Sequence, residues 1–316
     1  MASIVLSRLV QAVPSLLGVT IIAFVLLQLS GDVTQLLLPM EASEEVRADF
    51  RRAYGLDQPI PVQYGHYLAR LLQGDFGQSF AYRRPAMEVV LERLPATLEL
   101  SAAALLIALT VAIPAGIISA VKRNSIFDHL SMGLVLLGQS IPTFWLGMLM
   151  ILVFAVGLHA LPVSGRGSFA QLVLPSVTLA MWLLALVARL TRSGMLEVLS
   201  QDYIRTARAK GLAEMAVTTR HALRNALVPI VTVVGLQAGG LLGGAVMTEA
   251  VFAWPGVGTL VLESILKRDY PVVLAALIMV ATAFVLINLL VDLLYGYLDP
   301  RVRTGAAWVG GRAPEH

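Results

Sequence analysis

The chain has 316 residues, of which 57% are hydrophobic and only 14% are charged, whereas a soluble domain carries roughly 25% charged residues. One globular core cannot bury so large a surplus of apolar side chains. The composition therefore excludes an ordinary water-soluble protein and predicts that lipid solvates much of the surface. The absence of cysteine excludes disulfides, thiolate metal sites and cysteine nucleophiles. The net charge is only +3, so the positions of the charges are more informative than their sum.

Residues 1–29 contain the first apolar run, which follows Arg8 and extends from Leu9 to Leu29. A basic residue before an apolar run is also typical of a secretory signal peptide. This run is longer than a typical signal core, and no small-residue cleavage site follows it. We therefore predict a retained first transmembrane helix.

Residues 30–95 mix charges of both signs with apolar side chains, and we predict that they form an extracytoplasmic segment. Glu44–Arg52 is predicted to be a short charged helix, and Val62–Leu72 has apolar residues at helical spacing. Gly74–Ser79 is predicted to be a glycine-rich turn. The composition favours a small external cap that covers the helix bundle. The alternative is a docking surface for a soluble delivery protein.

The apolar runs predict an all-α polytopic membrane protein with six transmembrane helices. Each run is long enough to cross about 30 Å of hydrocarbon, and each is continuously apolar, unlike the shorter alternating strands of a barrel. The predicted spans are Leu9–Leu29, Ala96–Val121, Leu130–Gly157, Gln171–Thr191, Ala226–Met247 and Val272–Tyr295. Kinks are expected where prolines lie within or beside spans, at Pro14, Pro114, Pro142 and Pro175.

Basic residues in short loops predict the orientation, because such residues accumulate on the cytoplasmic side. With the N-terminus inside, the short outer loops hold only Arg166, Lys267 and Arg268. We therefore predict a multi-pass inner-membrane protein with both termini and the tail 298–316 in the cytoplasm. The long segment 30–95 also carries charges of both signs, but long loops are largely exempt from this count. The basic residues of the predicted cytoplasmic segments are Arg8, Lys122, Arg123, Arg189, Arg192, Arg205, Arg208, Lys210, Arg220, Arg224, Arg301, Arg303 and Arg312.

The loop 193–224, between the fourth and fifth predicted spans, is strongly basic. Asp202–Lys210 is predicted to be a helix, because its aspartate can cap the start and its alanines favour helix. Gly211 then supplies a C-terminal stop. A short helix of this kind suits a groove in a soluble protein partner, whereas a polybasic loop can also be attracted to anionic lipid. The helix followed by glycine favours the protein partner.

Two stretches of this loop, Tyr203–Leu212 (YIRTARAKGL) and His221–Pro229 (HALRNALVP), resemble the cytoplasmic coupling loop of permeases in binding-protein-dependent ABC importers. The resemblance is to the branch that handles dipeptides, oligopeptides and nickel. It extends over nearly the whole chain. Gly74–Ser79 and the N-terminal span resemble the first of the two permeases in such systems, Glu249–Gly258 resembles the turn after the fifth helix, and Leu298–Arg303 resembles the tail after the sixth.

One departure from the general importer motif concerns its start. The general motif begins with a glutamate and two alanines, where this chain has Arg205, Thr206 and Ala207. The spacing from Gly211 to Pro229 is also longer than in the general motif. Both features are usual for the peptide branch.

The resemblance implies a type I ABC importer permease fold with residues 96–297 as its core. It implies four kinds of partner: a second homologous permease, two ATPase subunits that carry ATP and Mg, an extracytoplasmic solute-binding protein, and membrane lipid. No cofactor in this chain and no nucleic acid are implied. In such an assembly the loop helix docks in a groove of an ATPase subunit and carries its movement into the spans. The coupling residues would be Tyr203, Ile204, Arg205, Thr206, Ala207, Arg208, Lys210 and Gly211.

Polar side chains at membrane depth are the usual candidates for a transport pathway. We select Gln139, Gln237, Glu249 and Asn288 as pore or gate candidates. Hydrogen bonding between helices, worth only about 0.6 kcal/mol per pair, is the more ordinary role for any single one of them. Five glycines also predict that the fifth span closely approaches a neighbour, either in this chain or in the second permease: Gly235, Gly239, Gly240, Gly243 and Gly244.

The chain contains no Gly-Lys pair and so has no phosphate-binding loop, which means that active transport requires ATP hydrolysis by another polypeptide. We predict that the chain is not an enzyme, because it shows no catalytic constellation, and that it has no metal site. An ion-coupled secondary carrier would need acids near mid-membrane and often inverted repeats, and neither is evident. With the resemblance, these observations favour an importer permease for di- or oligopeptides. Nickel chelates, haem, glutathione and oligosaccharides are the alternative substrates.

Overall fold

The computed structural model describes residues 2–29, 43–53, 55 and 57–298, and the regular elements in these ranges are helices. Two π-helical segments occur, Ile151–Gly157 after α6 and Val217–Ala222 between α9 and α10. The helices are α1 (Ala2–Leu29), α2 (Glu44–Ala53), α3 (Ile60–Leu72), α4 (Ala86–Val121), α5 (Ile126–Ser140), α6 (Thr143–Met150), α7 (Phe169–Leu199), α8 (Asp202–Ala209), α9 (Glu214–Ala216), α10 (Leu223–Val251), α11 (Val257–Leu266) and α12 (Tyr270–Leu298).

Four helical stretches among the described residues are long and apolar enough to cross a membrane: α4, α7, Pro229–Val251 of α10 and Tyr270–Val291 of α12. A fifth span results if α5 and the helix that follows it are taken together. The predicted all-helical fold with several apolar spans is thus confirmed. Helix α1 carries a shorter apolar stretch, Val10–Val25, so the sixth span stays a prediction. The predicted tail lies outside the described residues from position 299 onward.

The third predicted span, Leu130–Gly157, is wrong as a single helix. Helix α5 and the helical stretch Thr143–Gly157 are bent by 109° relative to each other. Ile141 is extended, with φ −87° and ψ 125°, because a proline at the next position disfavours the α conformation. Pro142 then stands immediately before the first residue of α6. The kink expected at this proline is therefore a complete break, whereas Pro14 and Pro175 lie inside continuous helices.

Helix α4 begins at Ala86, ahead of the predicted Ala96, and so takes in residues 86–95 that were assigned to the outer segment. Charged residues and a proline end the apolar run before Ala96, which is why composition places the start too late. Tertiary packing extends the helix, because its first turns form an apolar core with α11 and α12. The side chains that form this core are Ala86, Val89 and Val90 of α4, Val257 and Leu260 of α11, and Val272, Ala275 and Ala276 of α12.

The chain divides into two compact units, one mainly Leu98–Trp254 with the chain from Phe284, the other Arg8–Thr97 with Pro255–Ala283. In the second unit the predicted helices Glu44–Arg52 and Val62–Leu72 are confirmed as α2 and α3. The face of α3 that carries its tyrosines packs on α1. The ring centroids of Phe24 and Tyr64 are 5.4 Å apart, and the Tyr64 hydroxyl lies 2.9 Å from that of Thr20.

The turn that follows Gly77 in the second unit is held by Asp269, a completely buried residue. Its carboxylate accepts hydrogen bonds from the backbone N–H groups of Phe80 and Ala81, both at 3.1 Å, and from the Ser79 hydroxyl. Three donors compensate the cost of burying this charge. The glycine-rich turn predicted at residues 74–79 is confirmed, with φ of +81° at Gly74.

In the first unit, α4 approaches α7 closely at Gly116. A Cβ atom at this position would lie 2.5 Å from Thr191 Cβ and 2.7 Å from the Ala188 carbonyl oxygen. Both distances are shorter than real carbon contacts allow, and one partner is backbone. The absence of a side chain at Gly116 is therefore what allows these two helices to meet.

We expect Gly116→Ala to destabilise the protein by about 1–3 kcal/mol, because neither α7 backbone nor Thr191 Cβ can move away cheaply. Gly133→Ala in α5 is the matched control, since no heavy atom lies within 4 Å of the added Cβ. There alanine should be neutral or stabilising through its higher helix propensity. Thermal unfolding of both variants in detergent measures the difference. Equal midpoints would contradict the close packing of α4 on α7.

Candidate functional site

The loop 193–224 folds as a short helix bracketed by turns. Helix α7 continues to Leu199, α8 covers Asp202–Ala209, and the short α9 leads through the π-helical segment into α10. The predicted helix Asp202–Lys210 is therefore confirmed to within one residue. The predicted cap is wrong, because Gln201 is the N-cap and makes no side-chain bond. Asp202 lies in the first turn instead, where its charge is favourable to the helix dipole.

One face of α8 is built into the body of the first unit. Ile204 is completely buried and Ala207 is 7% exposed, and their spacing of three residues places both on one side of the helix. They belong to one apolar cluster that also contains residues from the ends of α4 and α7 and from the start of α10. The other buried members are Ala120, Met195, Val217, Ala222 and Ala226.

The opposite face of α8 is exposed and polar. Tyr203 is 44% exposed, and its hydroxyl accepts a hydrogen bond from Asn225 Nδ2 at 2.8 Å. Arg205 lies 3.4 Å from Asp202 in a fully solvated pair, and Thr206 donates to the Asp202 carbonyl of its own helix. Lys210 is exposed as well. The predicted coupling residues therefore separate into a buried pair and an exposed set.

Arg208 is paired within the chain. Its Nε and Nη2 atoms donate to the two carboxylate oxygens of Glu214 at 3.0 and 2.6 Å. This hydrogen bonding lowers the pKa of Glu214 and raises that of Arg208. The pair is exposed, so it adds little stability, but it neutralises the charge of one of the predicted coupling residues. Glu214 is a functional-region residue that sequence reasoning missed.

The end of α8 is a Schellman motif. Gly211 has φ +77°, its N–H donates to the Arg208 carbonyl at 2.9 Å, and the Leu212 N–H donates to the Ala207 carbonyl at 3.4 Å. Nothing lies within 4 Å of a Cβ built on Gly211. Backbone conformation, and not space, therefore requires the glycine. Leu212 and Met215 follow it and are 42% and 75% exposed.

The four pore or gate candidates do not form one cluster. Glu249 is completely buried, whereas Gln139, Gln237 and Asn288 are half-buried. Gln237 and Glu249 lie on the same helix, and twelve residues of helix separate them by about 18 Å. Among the described residues, no donor reaches the buried Asn288 Oδ1 atom.

The turn after α10 carries a network that sequence reasoning found only in part. The Trp254 N–H donates to the Glu249 carbonyl at 2.8 Å, and the Gly165 N–H donates to the Phe252 carbonyl at 3.1 Å. Arg166 pairs with Glu99 at 2.6 Å, and its guanidinium lies 5.9 Å from the Trp254 ring centroid. The exposed carboxylate Glu99 thus has a partner from a loop 67 residues away.

The comparisons with known proteins agree with one another. The family model for the "Binding-protein-dependent transport system inner membrane component" matches residues 112–304, and the model for the N-terminal part of such membrane components matches residues 1–101. The chain is 43% identical to the dipeptide transport system permease protein DppB of Escherichia coli K12, over 96% of this chain and 99% of that protein. It is 44% identical to the glutathione transport system permease protein GsiC of Salmonella typhimurium LT2, with the same two coverages.

A likeness to a solved structure concerns the fold alone. A chain from a crystal structure of the MetNI methionine ABC transporter in inward-facing conformations superposes with a TM-score of 0.58 at 21% identity. The superposition covers 67% of this chain and 97% of that chain.

We expect Ile204→Ala to loosen α8, because removing a buried side chain of this size costs about 2–5 kcal/mol. Deuterium uptake by the backbone amides of Asp202–Ala209 should rise. Thr206→Ala is the control, since its exposed side chain bonds only to the backbone of its own helix. Wild-type uptake in both variants would contradict anchoring through Ile204.

Proposed function

Because this chain belongs to the family of inner-membrane components of binding-protein-dependent transport systems, we propose that it forms one half of the translocation pathway of an ATP-driven peptide importer. The chain is a multi-pass membrane protein. The observation that carries the proposal is α8, a helix with one face packed into the unit and the other left exposed.

The substrate class follows from what the similar proteins are named for. These names are dipeptide and glutathione transport, and di/tripeptide transport for DppB of Pseudomonas aeruginosa at 43% identity. Glutathione is itself a tripeptide, so short peptides are the class that the three names share. We therefore propose di- or tripeptides as the substrate of this system, ahead of nickel chelates, haem and oligosaccharides.

The proposed assembly supplies what this chain lacks. The sequence has no phosphate-binding loop, so ATP and Mg would be bound by two separate ATPase subunits. A second homologous permease would complete the pathway, and an extracytoplasmic solute-binding protein would deliver the peptide. In a type I permease arrangement, α1 would supply the sixth span, both termini would lie in the cytoplasm, and residues 30–95 would lie outside.

Helix α8 is proposed to couple the ATPase to the pathway. Its exposed face, with Tyr203, Arg205, Thr206 and Lys210, would dock on an ATPase subunit, together with the exposed Leu212 and Met215. Ile204 and Ala207 would pass the movement to the long helices. Arg208 is paired with Glu214, so it would present a neutralised ion pair to the ATPase subunit and not a free positive charge.

The pore and the contact with the second permease are proposed from α10 and its neighbours. Gly235 and Gly239 already pack against α12 of this chain, since Cβ atoms there would overlap Val291 and Phe284. Gly240, Gly243 and Gly244 face open space on the same helix and suit a close approach by the second permease. Gln139, Gln237, Glu249 and Asn288 remain the proposed polar groups of the pathway or its gate.

We expect proteoliposomes that contain the complete complex to accumulate di- and tripeptides only when ATP and the binding protein are present. Nickel chelate, haem and oligosaccharide serve as competing substrates in the same assay. This chain alone should hydrolyse no ATP above background. Uptake of another solute without peptide uptake would overturn the substrate class. Peptide uptake driven by an ion gradient without ATP would overturn the importer itself.

We expect Gly211→Ala to lower the peptide taken up per ATP hydrolysed, because alanine at φ +77° is strained by about 1–2 kcal/mol and the Schellman motif opens. Gly211→Pro should have a larger effect, since proline fixes φ near about −65°. Gly74→Ala is a matched control, with φ +81° and no atom within 4 Å of the added Cβ. Equal uptake per ATP in all three variants would contradict a coupling role for α8.

A further inference from the structure

A buried ion pair joins the start of α5 to α7. Arg192 donates from Nε to one oxygen of the Asp128 carboxylate at 2.6 Å and from Nη2 to the other at 2.8 Å. The Asp128 side chain is only 4% exposed, and that of Arg192 is 27% exposed. The Asn124 N–H also donates to the carboxylate, at 3.0 Å. The carboxylate thus has three donors, and the guanidinium binds it with two parallel bonds.

This pair lies beside the anchor of α8. Arg192 is three residues before Met195 on α7, which places the two side chains on the same side of that helix, and Met195 belongs to the apolar cluster that buries Ile204. Thr191, next to Arg192, faces the close approach of α4 at Gly116. One turn of α7 therefore holds α4, α5 and α8 together.

The far end of α5 carries a pore candidate. Eleven residues of helix separate Asp128 from Gln139, which is about 17 Å along the axis. The break at Ile141–Pro142 follows directly after α5. Helix α5 is therefore a short segment with the ion pair at one end and a polar group beside a bend at the other.

We propose that Asp128 and Arg192 are positioning residues for transport, which fix α5 to the turn of α7 that carries α8, so that displacement of α8 moves α5. The proposal rests on the proposed coupling role of α8. It differs from a purely structural role in one respect. Removing the pair should cut peptide uptake per ATP even where the complex still assembles and hydrolyses ATP.

The decisive variant removes both charges. A single change, Asp128→Asn or Arg192→Gln, leaves the other charge without its partner and so destabilises the protein as well. Replacing both partners avoids this penalty, because two neutral side chains leave no buried charge without a counter-charge. The double variant Asp128→Asn/Arg192→Gln should assemble and hydrolyse ATP at wild-type levels, with about tenfold less peptide taken up per ATP. Arg123→Gln makes the same arginine-to-glutamine change at an exposed position in the turn between α4 and α5, so it is the control and should keep the wild-type ratio.

Each outcome decides the proposal. A wild-type ratio in the double variant would overturn it, since the pair would then serve stability alone. If the double variant does not assemble, Arg192→Lys decides. It keeps the charge but loses the two parallel bonds, so a lowered ratio supports the proposal and a wild-type ratio overturns it. Absence of ATP-driven peptide uptake in the wild-type complex would instead overturn the proposed function.

Discussion

The burial of Ile204 and Ala207 among the ends of α4, α7 and α10 is the interaction on which the rest of the site depends. Burying an isoleucine side chain contributes about 1.5–3 kcal/mol, whereas a solvent-exposed ion pair adds little stability. The apolar contact, and not the pair Arg208–Glu214, therefore keeps α8 in place. The exposed face of α8 makes only solvent-accessible polar contacts, such as that between Tyr203 and Asn225, so its side chains stay accessible to a partner.

Two glycines serve this arrangement for different physical reasons. Gly116 provides space, because α4 meets α7 where even a methyl group would overlap Thr191. Gly211 provides conformation, because the chain reverses at φ +77° in open surroundings. Gly116 allows the packing of α4 on α7, whose ends contact α8, and Gly211 fixes the position at which α8 ends. Neither role follows from glycine content alone, and only coordinates distinguish them.

The sequence was sufficient where the signal is local. Long apolar runs predicted the four helical stretches that are long and apolar enough to cross a membrane, and the segment from Asp202 to Gly211 predicted α8 with its terminal glycine. Sequence patterns did not predict the features that depend on residues distant in the chain. Helix α4 begins at Ala86 because α11 and α12 pack on it, and Arg192 pairs with Asp128, which is 64 residues away. The pair Arg208–Glu214 was missed because helical spacing rules do not apply across a helix end.

The break after α5 has a further consequence for how movement would pass through the chain. A continuous helix from Asp128 to Gly157 would carry any displacement past mid-membrane as a rigid rod. Pro142 has no N–H and Ile141 is extended, so the hydrogen-bond ladder is interrupted between α5 and α6. On the proposal that displacement of α8 moves α5, this joint beside Gln139 is where the motion would be absorbed. On the proposed function, the third predicted span therefore bends beside a pore candidate, at a point where the translocation pathway would change its conformation.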